Sequence, residues 1–366
     1  MLSRSSSVVL RHELIARVRF APSPTGSLHL GNALTAAANL AFADEHGGAL
    51  LLRIDDTDPT RLVQGGEPAI LEDLRWLAIG WDEGPVRQSE RFEVYAAAAA
   101  RAESDGGATR DPDGSLRLGG TTLLRADGSA TYQLATVVDD LELGITHVIR
   151  GADHRPNEEP QRRIARSLGG ELPEVIHHGL LLGDDGKKLS KRHGHASVAD
   201  LRGDGIPAAA LRAYLDELGL PAHDVQLDRS RIGRLSIEAI AAMSDAELAA
   251  AAGAEPTVAS ALRGARTLVE AREIARTLET PDPVELPPES SPTLERFVEL
   301  RRASGNDLDE NAARSIVREL KAVGGELRTL RLALTGAERG PELWAVVAAL
   351  PVEVAIERAR RAVVPG

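Results

Sequence analysis

The stretch that most limits what this chain can fold into is Arg19-Phe20-Ala21-Pro22-Ser23-Pro24-Thr25-Gly26-Ser27-Leu28-His29-Leu30-Gly31-Asn32. Val18 and Phe20 are strand formers, Pro22 and Pro24 cannot continue a ladder, and Gly26 and Gly31 allow close approach of the backbone to a ligand. An alanine-rich segment comes next at 32–46, with Leu34, Ala37, Ala38 and Ala41 at helical spacing. Strand, rigid turn and helix start make a phosphate-binding elbow, because the N–H groups and dipole at a helix start favour an anion. His29 and Asn32 stand where their side chains would donate to it, although His29 taken alone reads first as a helix-capping or core histidine.

The apolar run at 49–54 predicts a strand buried in a parallel sheet, which completes a βαβ unit and sets the class as α/β. Helices are expected at 66–78 and 90–103, a turn at 81–85, and a loop or short hairpin at 106–120, where Gly and Asp concentrate. Strand signals return at 122–125, 132–135, 137–138 and 146–150, read as extending the same sheet. A helix is expected at 158–168 and a strand at 179–182. Beyond 197 the pattern is helical, with segments near 207–218, 236–253 and 258–278. The stretch 279–292 holds five prolines and reads as a linker or long loop, and about 293–364 suits a small helical bundle. The expected domains are therefore a tail at 1–14, an α/β unit at 15–195, a helical connecting region at 196–280, a linker at 281–292 and a helical C-terminal domain at 293–366.

Composition narrows the setting. The 366 residues have room for two or three domains. There is no cysteine, which excludes disulfides and cysteine-ligated zinc and fits a reducing cytoplasm. A net charge of -12 argues against blanket nucleic-acid attraction but leaves room for a local basic groove. The apolar core of the first eleven residues, Val8 to Leu10, is too short for a secretory signal, so this segment reads as a ragged tail or a misassigned start. No stretch approaches the ~18–20 apolar residues of a membrane span.

A second motif lies about 155 residues after the elbow. Lys187, Lys188, Lys191 and Arg192 fall within six positions beside two glycines. Such a cationic loop can close over a polyphosphate and neutralise transition-state charge; the plain alternative is a solvated turn or a nonspecific RNA patch.

Together the two motifs, the Phe20 to Gly26 run with His29-Leu30-Gly31-Asn32 and the Lys188-Leu189-Ser190-Lys191-Arg192 run, resemble the signatures of class I aminoacyl-tRNA synthetases of the glutamyl/glutaminyl branch. Further similar stretches are Leu-Arg-Ile-Asp-Asp-Thr-Asp at 52–58, Trp-Asp-Glu-Gly-Pro at 81–85, Thr131-Tyr132, Val-Val-Asp-Asp at 137–140 and Ile-Thr-His-Val-Ile-Arg-Gly at 145–151. The resemblance implies a Rossmann-like catalytic domain followed by an all-α region. It also implies ATP-dependent activation of glutamate and transfer of the glutamyl group to the 3′ end of tRNA. ATP is then a substrate accompanied by Mg²⁺, no zinc is expected, and the partners are tRNA, glutamate and ATP, with a cytoplasmic monomer as the family habit.

By the same match His29, Gly31, Asn32, Lys188, Ser190 and Lys191 would bind ATP, with His29, Asn32, Lys188 and Lys191 catalytic. Arg19 and Arg150 would pair with the glutamate side chain, Ala21 and Ser23 would line its pocket, Asp55 would hold the α-amino group, and Tyr132 and Thr136 would complete the wall. Arg150 has a plain alternative as a strand-end salt-bridge partner. Three positions depart from the family pattern: Asp55 stands for the usual glutamate, Thr136 for asparagine and Ala152 for an acid. The family's acceptor-stem insertion, often zinc-bearing, is reduced to the glycine-rich stretch at 106–120. That loss motivates one alternative, a paralogue that activates glutamate or a related amino acid and passes it to a modified tRNA base or small amine; a third reading is a non-catalytic RNA-binding paralogue.

Overall fold

A computed structural model describes residues 15–189, 196–305 and 308–362. By its internal contacts the chain divides into two compact units, one of residues up to 200 with 212–227 and one of 201–211 with the residues from 228 onward.

The first unit is built on parallel strands. β1 (Arg17–Phe20) leads through the elbow into α1 (Leu30–Glu45), and β2 (Ala49–Ile54) returns beside β1 in the register Arg17↔Ala49 to Phe20↔Leu52. The return is tight, since a Cβ at Gly48 would come 2.1 Å from the Ala16 carbonyl oxygen. α1 buries Ala33, Ala36, Ala37, Ala38 and Ala43, and these small side chains let it lie close on the strands. α2 (Gly66–Trp76) precedes β3 (Glu83–Arg87), which lies parallel to β2. The turn expected at 81–85 is therefore partly strand. Pro85, which has no N–H to give, is tolerated there because β3 lies at the end of its sheet.

After α3 (Phe92–Ser104) come β4 (Thr109–Arg110), β5 (Leu116–Leu118) and β6 (Thr121–Leu124), which form a separate antiparallel sheet containing the expected hairpin. The strands expected at 132–135 and 137–138 are instead one helix, α4 (Tyr132–Glu142). Thr131 caps it, with Oγ1 accepting from the Leu134 N–H and donating to the Thr122 carbonyl at 2.7 Å. Leu134, Ala135, Val137 and Val138 then pack with Tyr95, Ala98 and Ile164 in one core.

β7 (His147–Gly151) comes next, joined to β1 by the Thr146 N–H to Arg17 carbonyl bond of 2.8 Å. α5 (Glu158–Ser167) crosses to β8 (Glu174–His178), a strand absent from the sequence expectations, which pairs parallel with β7 from His147↔Glu174 to Gly151↔His178. β9 (Leu181–Leu182) pairs with β10 (Val225–Gln226); α6 (Val198–Gly203) and α7 (Ala208–Leu218) lie between them in sequence.

The second unit is helical: α8 (Arg229–Ala242), α9 (Asp245–Ala252), α10 (Ala259–Leu262), α11 (Leu268–Glu279), α12 (Ser291–Ala303), α13 (Glu310–Ala322), α14 (Leu327–Thr335), α15 (Leu343–Ala349) and α16 (Val352–Arg361). The helices expected at 236–253 and 258–278 are each split in two. Extended Met243 and a capping box of Ser244 with Glu247 break the first, and Thr267, capping α11 at Glu270, breaks the second. Phe297, Leu320, Leu330 and Val346 sit at the centre of the core. Buried Arg301 and half-buried Arg358 donate only to backbone carbonyls, Arg358 to Leu334 at 2.8 Å and Leu278 at 2.6 Å, satisfying helix ends. Among the described residues no helix is long and apolar enough to cross a membrane.

Candidate active site

The elbow is pinned from three sides. Asp55 and Val63 N–H groups donate to the Pro22 and Pro24 carbonyls at 3.0 and 3.1 Å. Gly26 adopts φ +110°, a conformation that favours glycine. Asp73 of α2 accepts from Ser27 Oγ at 2.6 Å and from the Leu28 N–H at 2.7 Å. His29 is the N-cap residue of α1, yet its side chain makes no capping bond; it is half-buried and faces a cavity of about 710 Å³. Gly31 and Asn32 line the same wall, and a Cβ added at Gly31 would meet no protein atom within 4 Å.

The second motif is carried to the same wall. A tight turn, with the Gly183 N–H on the Lys187 carbonyl, presents Lys188 to the cavity. Past the loop, the Leu30 N–H donates to the Ala196 carbonyl at 3.0 Å and the Val198 N–H to the Leu28 carbonyl at 2.9 Å, so the segment from Ala196 runs beside the elbow. Lys188 Nζ donates to Asp153 Oδ2. Burial pushes the Asp153 carboxyl up, but the Lys188 hydrogen bond and nearby His154 outweigh it and hold it below the ordinary carboxylate range. Ser190 and Lys191 lie outside the described residues.

The cavity floor carries the guanidinium groups. Arg19 and Arg150 both line it and are 4% and 5% exposed. Arg19 Nε donates to Asp140 Oδ1 at 3.2 Å, which also accepts from Arg53 Nη1 at 2.8 Å. Arg53, fully buried, also grips Asp55 through Nε at 2.7 Å and lies 3.7 Å from Asp139. Burial alone would lower the Arg53 guanidinium, but Asp55, Asp140 and Asp139 together hold it well above its usual value. Asp139 is held in turn by Gln88, Arg91 and the Tyr95 hydroxyl. Arg150 Nη1 donates to Gln161 Oε1 at 2.8 Å, while its Nη2 is buried with no hydrogen-bond partner among the described residues.

Ala21, Ser23, Asp55 and Tyr132 also line the cavity. Asp55 has its carboxylate engaged by Arg53, and Thr136 sits apart from the cavity, 1% exposed in the interior of α4. Sequence reasoning assigned no role to Arg53, Asp139, Asp140, Asp153, Gln161 or His178. The available signal was two adjacent acids, Asp139 and Asp140, at the end of an apolar run, which water-facing residues would not need. His178, a buried residue of the cavity lining, bonds Thr35 Oγ1 through Nε2 at 2.9 Å and the Gly179 carbonyl through Nδ1 at 2.8 Å. Among the described residues no three His, Asp or Glu side chains cluster to hold a metal ion.

Residues 16–115 and 112–231 match the family model described as tRNA synthetases class I (E and Q), catalytic domain. Glutamate–tRNA ligase 1 of Rubrobacter xylanophilus is 40% identical over 94% of this chain and 98% of its own length. The chain belongs to the class I glutamate–tRNA ligase family. Glutamate–tRNA ligase 2 of Paracoccus denitrificans, another family member, is 34% identical over 83% of this chain and 84% of its own. The fold agrees: the crystal structure of a glutamate tRNA ligase from Elizabethkingia meningosepticum in complex with its amino acid superimposes with TM-score 0.74 at 22% identity, covering 95% of this chain and 99% of that one. Within the family this chain is compact. Its alignment to the Rubrobacter ligase runs over 422 positions, of which 94% of 366 residues can fill about 344, leaving about 78 to the relative alone.

Proposed function

We propose that this chain is a glutamate–tRNA ligase that activates glutamate with ATP and esterifies it to the 3′ end of a tRNA. The observation that carries the reading is the buried, unpartnered Nη2 of Arg150, on the floor of a cavity whose other wall is a helix start with a lysine beside it. A buried donor without an acceptor is costly in the free protein, and a carboxylate would satisfy it. Arg19 and Arg150 would hold the glutamate side chain. Ala21, Ser23 and Tyr132 would shape its surroundings, and Asp55 would attract the α-amino group while remaining on Arg53.

At the far wall, the N–H groups of α1 with Gly31 and the side chains of His29 and Asn32 would receive the ATP phosphates. Lys188, with Ser190 and Lys191 of the same motif, would neutralise the leaving pyrophosphate. A glutamate α-carboxylate oxygen attacks the α-phosphorus, the bond to pyrophosphate breaks, and a terminal ribose hydroxyl of tRNA then displaces AMP. The protein's part is positioning and charge stabilisation, since no side chain needs to form a covalent bond. The donor set on this wall is cationic or neutral apart from Asp153, which is paired with Lys188, so a Mg²⁺ ion would ride on the phosphates rather than on a resident site. The retention of these groups speaks against a purely RNA-binding role, which needs none of them.

Pyrophosphate exchange with glutamate and ATP, run with and without tRNA, tests the reading. The wild-type chain should exchange with glutamate, and Arg150→Ala should raise the glutamate KM at least about 30-fold, the equivalent of about 2 kcal/mol from a buried charge pair that can no longer form. Absence of glutamate-dependent exchange under both conditions would remove the activation chemistry.

A further inference from the structure

The charges around the cavity floor do not all pair off. Asp55, Asp139 and Asp140 are answered by three guanidinium groups: Arg53 reaches all of them, Arg19 bonds Asp140, and Arg91 bonds Asp139. Arg150 is a fourth. Its own partners are neutral groups, the Gln161 amide oxygen at 2.8 Å and His177 Nε2 at 3.4 Å, with the Tyr132 phenol also beside it. Asp140 acts on Arg150 through space but is already shared by Arg19 and Arg53. Glu158, 3.9 Å from His177, is paired with Arg162 at 2.7 Å. Among the described residues no carboxylate bonds Arg150, so its charge has no counter-charge in contact.

Gln161 is an expensive choice for the position. It is 1% exposed, its oxygen serves Arg150, and its Nε2 is buried with no partner among the described residues. A glutamate of nearly the same shape would turn both terminal atoms into acceptors for Arg150 and remove the orphaned donor. It would also give Arg150 a counter-charge in contact. Resting on the ligase reading above, we propose that Gln161 is a specificity-determining positioning residue: its neutral oxygen orients Arg150 while leaving that charge for the substrate to neutralise. Glutamate brings a side-chain carboxylate to Arg150, and glutamine brings only a neutral amide.

The test uses the full chain in pyrophosphate exchange with glutamate and with glutamine, tRNA present. Q161E should lower the glutamate-over-glutamine ratio of kcat/KM by about tenfold or more, chiefly through the glutamate KM, with the ATP KM unmoved. Q161M, which removes the acceptor without adding charge, should weaken use of both amino acids and leave their ratio nearly unchanged. His177→Glu, which sets a carboxylate on the other side of Arg150, should lower the ratio as Q161E does and serves if Q161E does not fold. A wild-type ratio in both charge-adding variants, or an equal shift in Q161M, overturns the proposal. A wild-type chain that never exchanges with glutamate overturns the ligase reading instead.

Discussion

Asp140 shows how much one buried carboxylate can hold. Its Oδ1 accepts from Arg19 and Arg53, all three side chains being at most 5% exposed. Removing one member of such a cluster leaves charge buried without its counter-charge, which is worse than never having had the pair. Asp140→Asn should destabilise the chain by about 3–5 kcal/mol and, by loosening Arg19, raise the glutamate KM. Urea unfolding at neutral pH checks the first part; an unshifted midpoint would mean that the pair contributes nothing. Most cavity-lining residues were legible from the motifs because they lie in two short runs and two strand ends. The cluster was not, since Arg53 and Asp140 meet across 87 positions and neither residue's neighbours disclose the other.

At the level of elements, Thr131 decides the conformation of the segment after it. The residues from Tyr132 to Val138 mix β-branched and aromatic side chains, a composition that favours a strand when read locally. The capping oxygen and a core accepting apolar residues on several sides make it a helix, as short apolar runs cannot distinguish the two. Thr131→Ala should cost about 1 kcal/mol through the lost cap and the lost bond to Thr122, with Thr131→Ser recovering most of it. Thermal unfolding of the two variants separates these outcomes, and equal midpoints would remove the cap from the account. The strand β8 escaped notice for the opposite reason: Glu174, His177 and His178 read as polar, although the backbone pairs along its whole length. The splits at Ser244 and Thr267 rest on single capping side chains, which the apolar spacing around them concealed.

On the scale of the whole molecule, the two units differ in what they titrate. All ten histidines lie at or before residue 223, outside the segments 201–211 and 228–366 that make the second unit. Burial lowers the pKa of His154, His177 and His178, so each stays neutral in the fold while the unfolded chain takes up a proton near pH 6.5. Their contribution is complete above about pH 6.5 and is lost as pH falls below it toward the folded values. Calorimetry between pH 7 and pH 5.5 should show the unfolding of the first unit moving to lower temperature while that of the histidine-free unit stays nearly fixed. Equal shifts of both would contradict the assignment. The charged cluster of Arg19, Arg53, partly exposed Arg91 and three aspartates has one more consequence, for descent rather than for folding. Because each member is tolerable only in the company of the others, drift at one position is penalised until a second changes to match. Substitutions there should enter a lineage in compensating pairs or not at all, which makes the charged floor the most epistatic part of the catalytic unit.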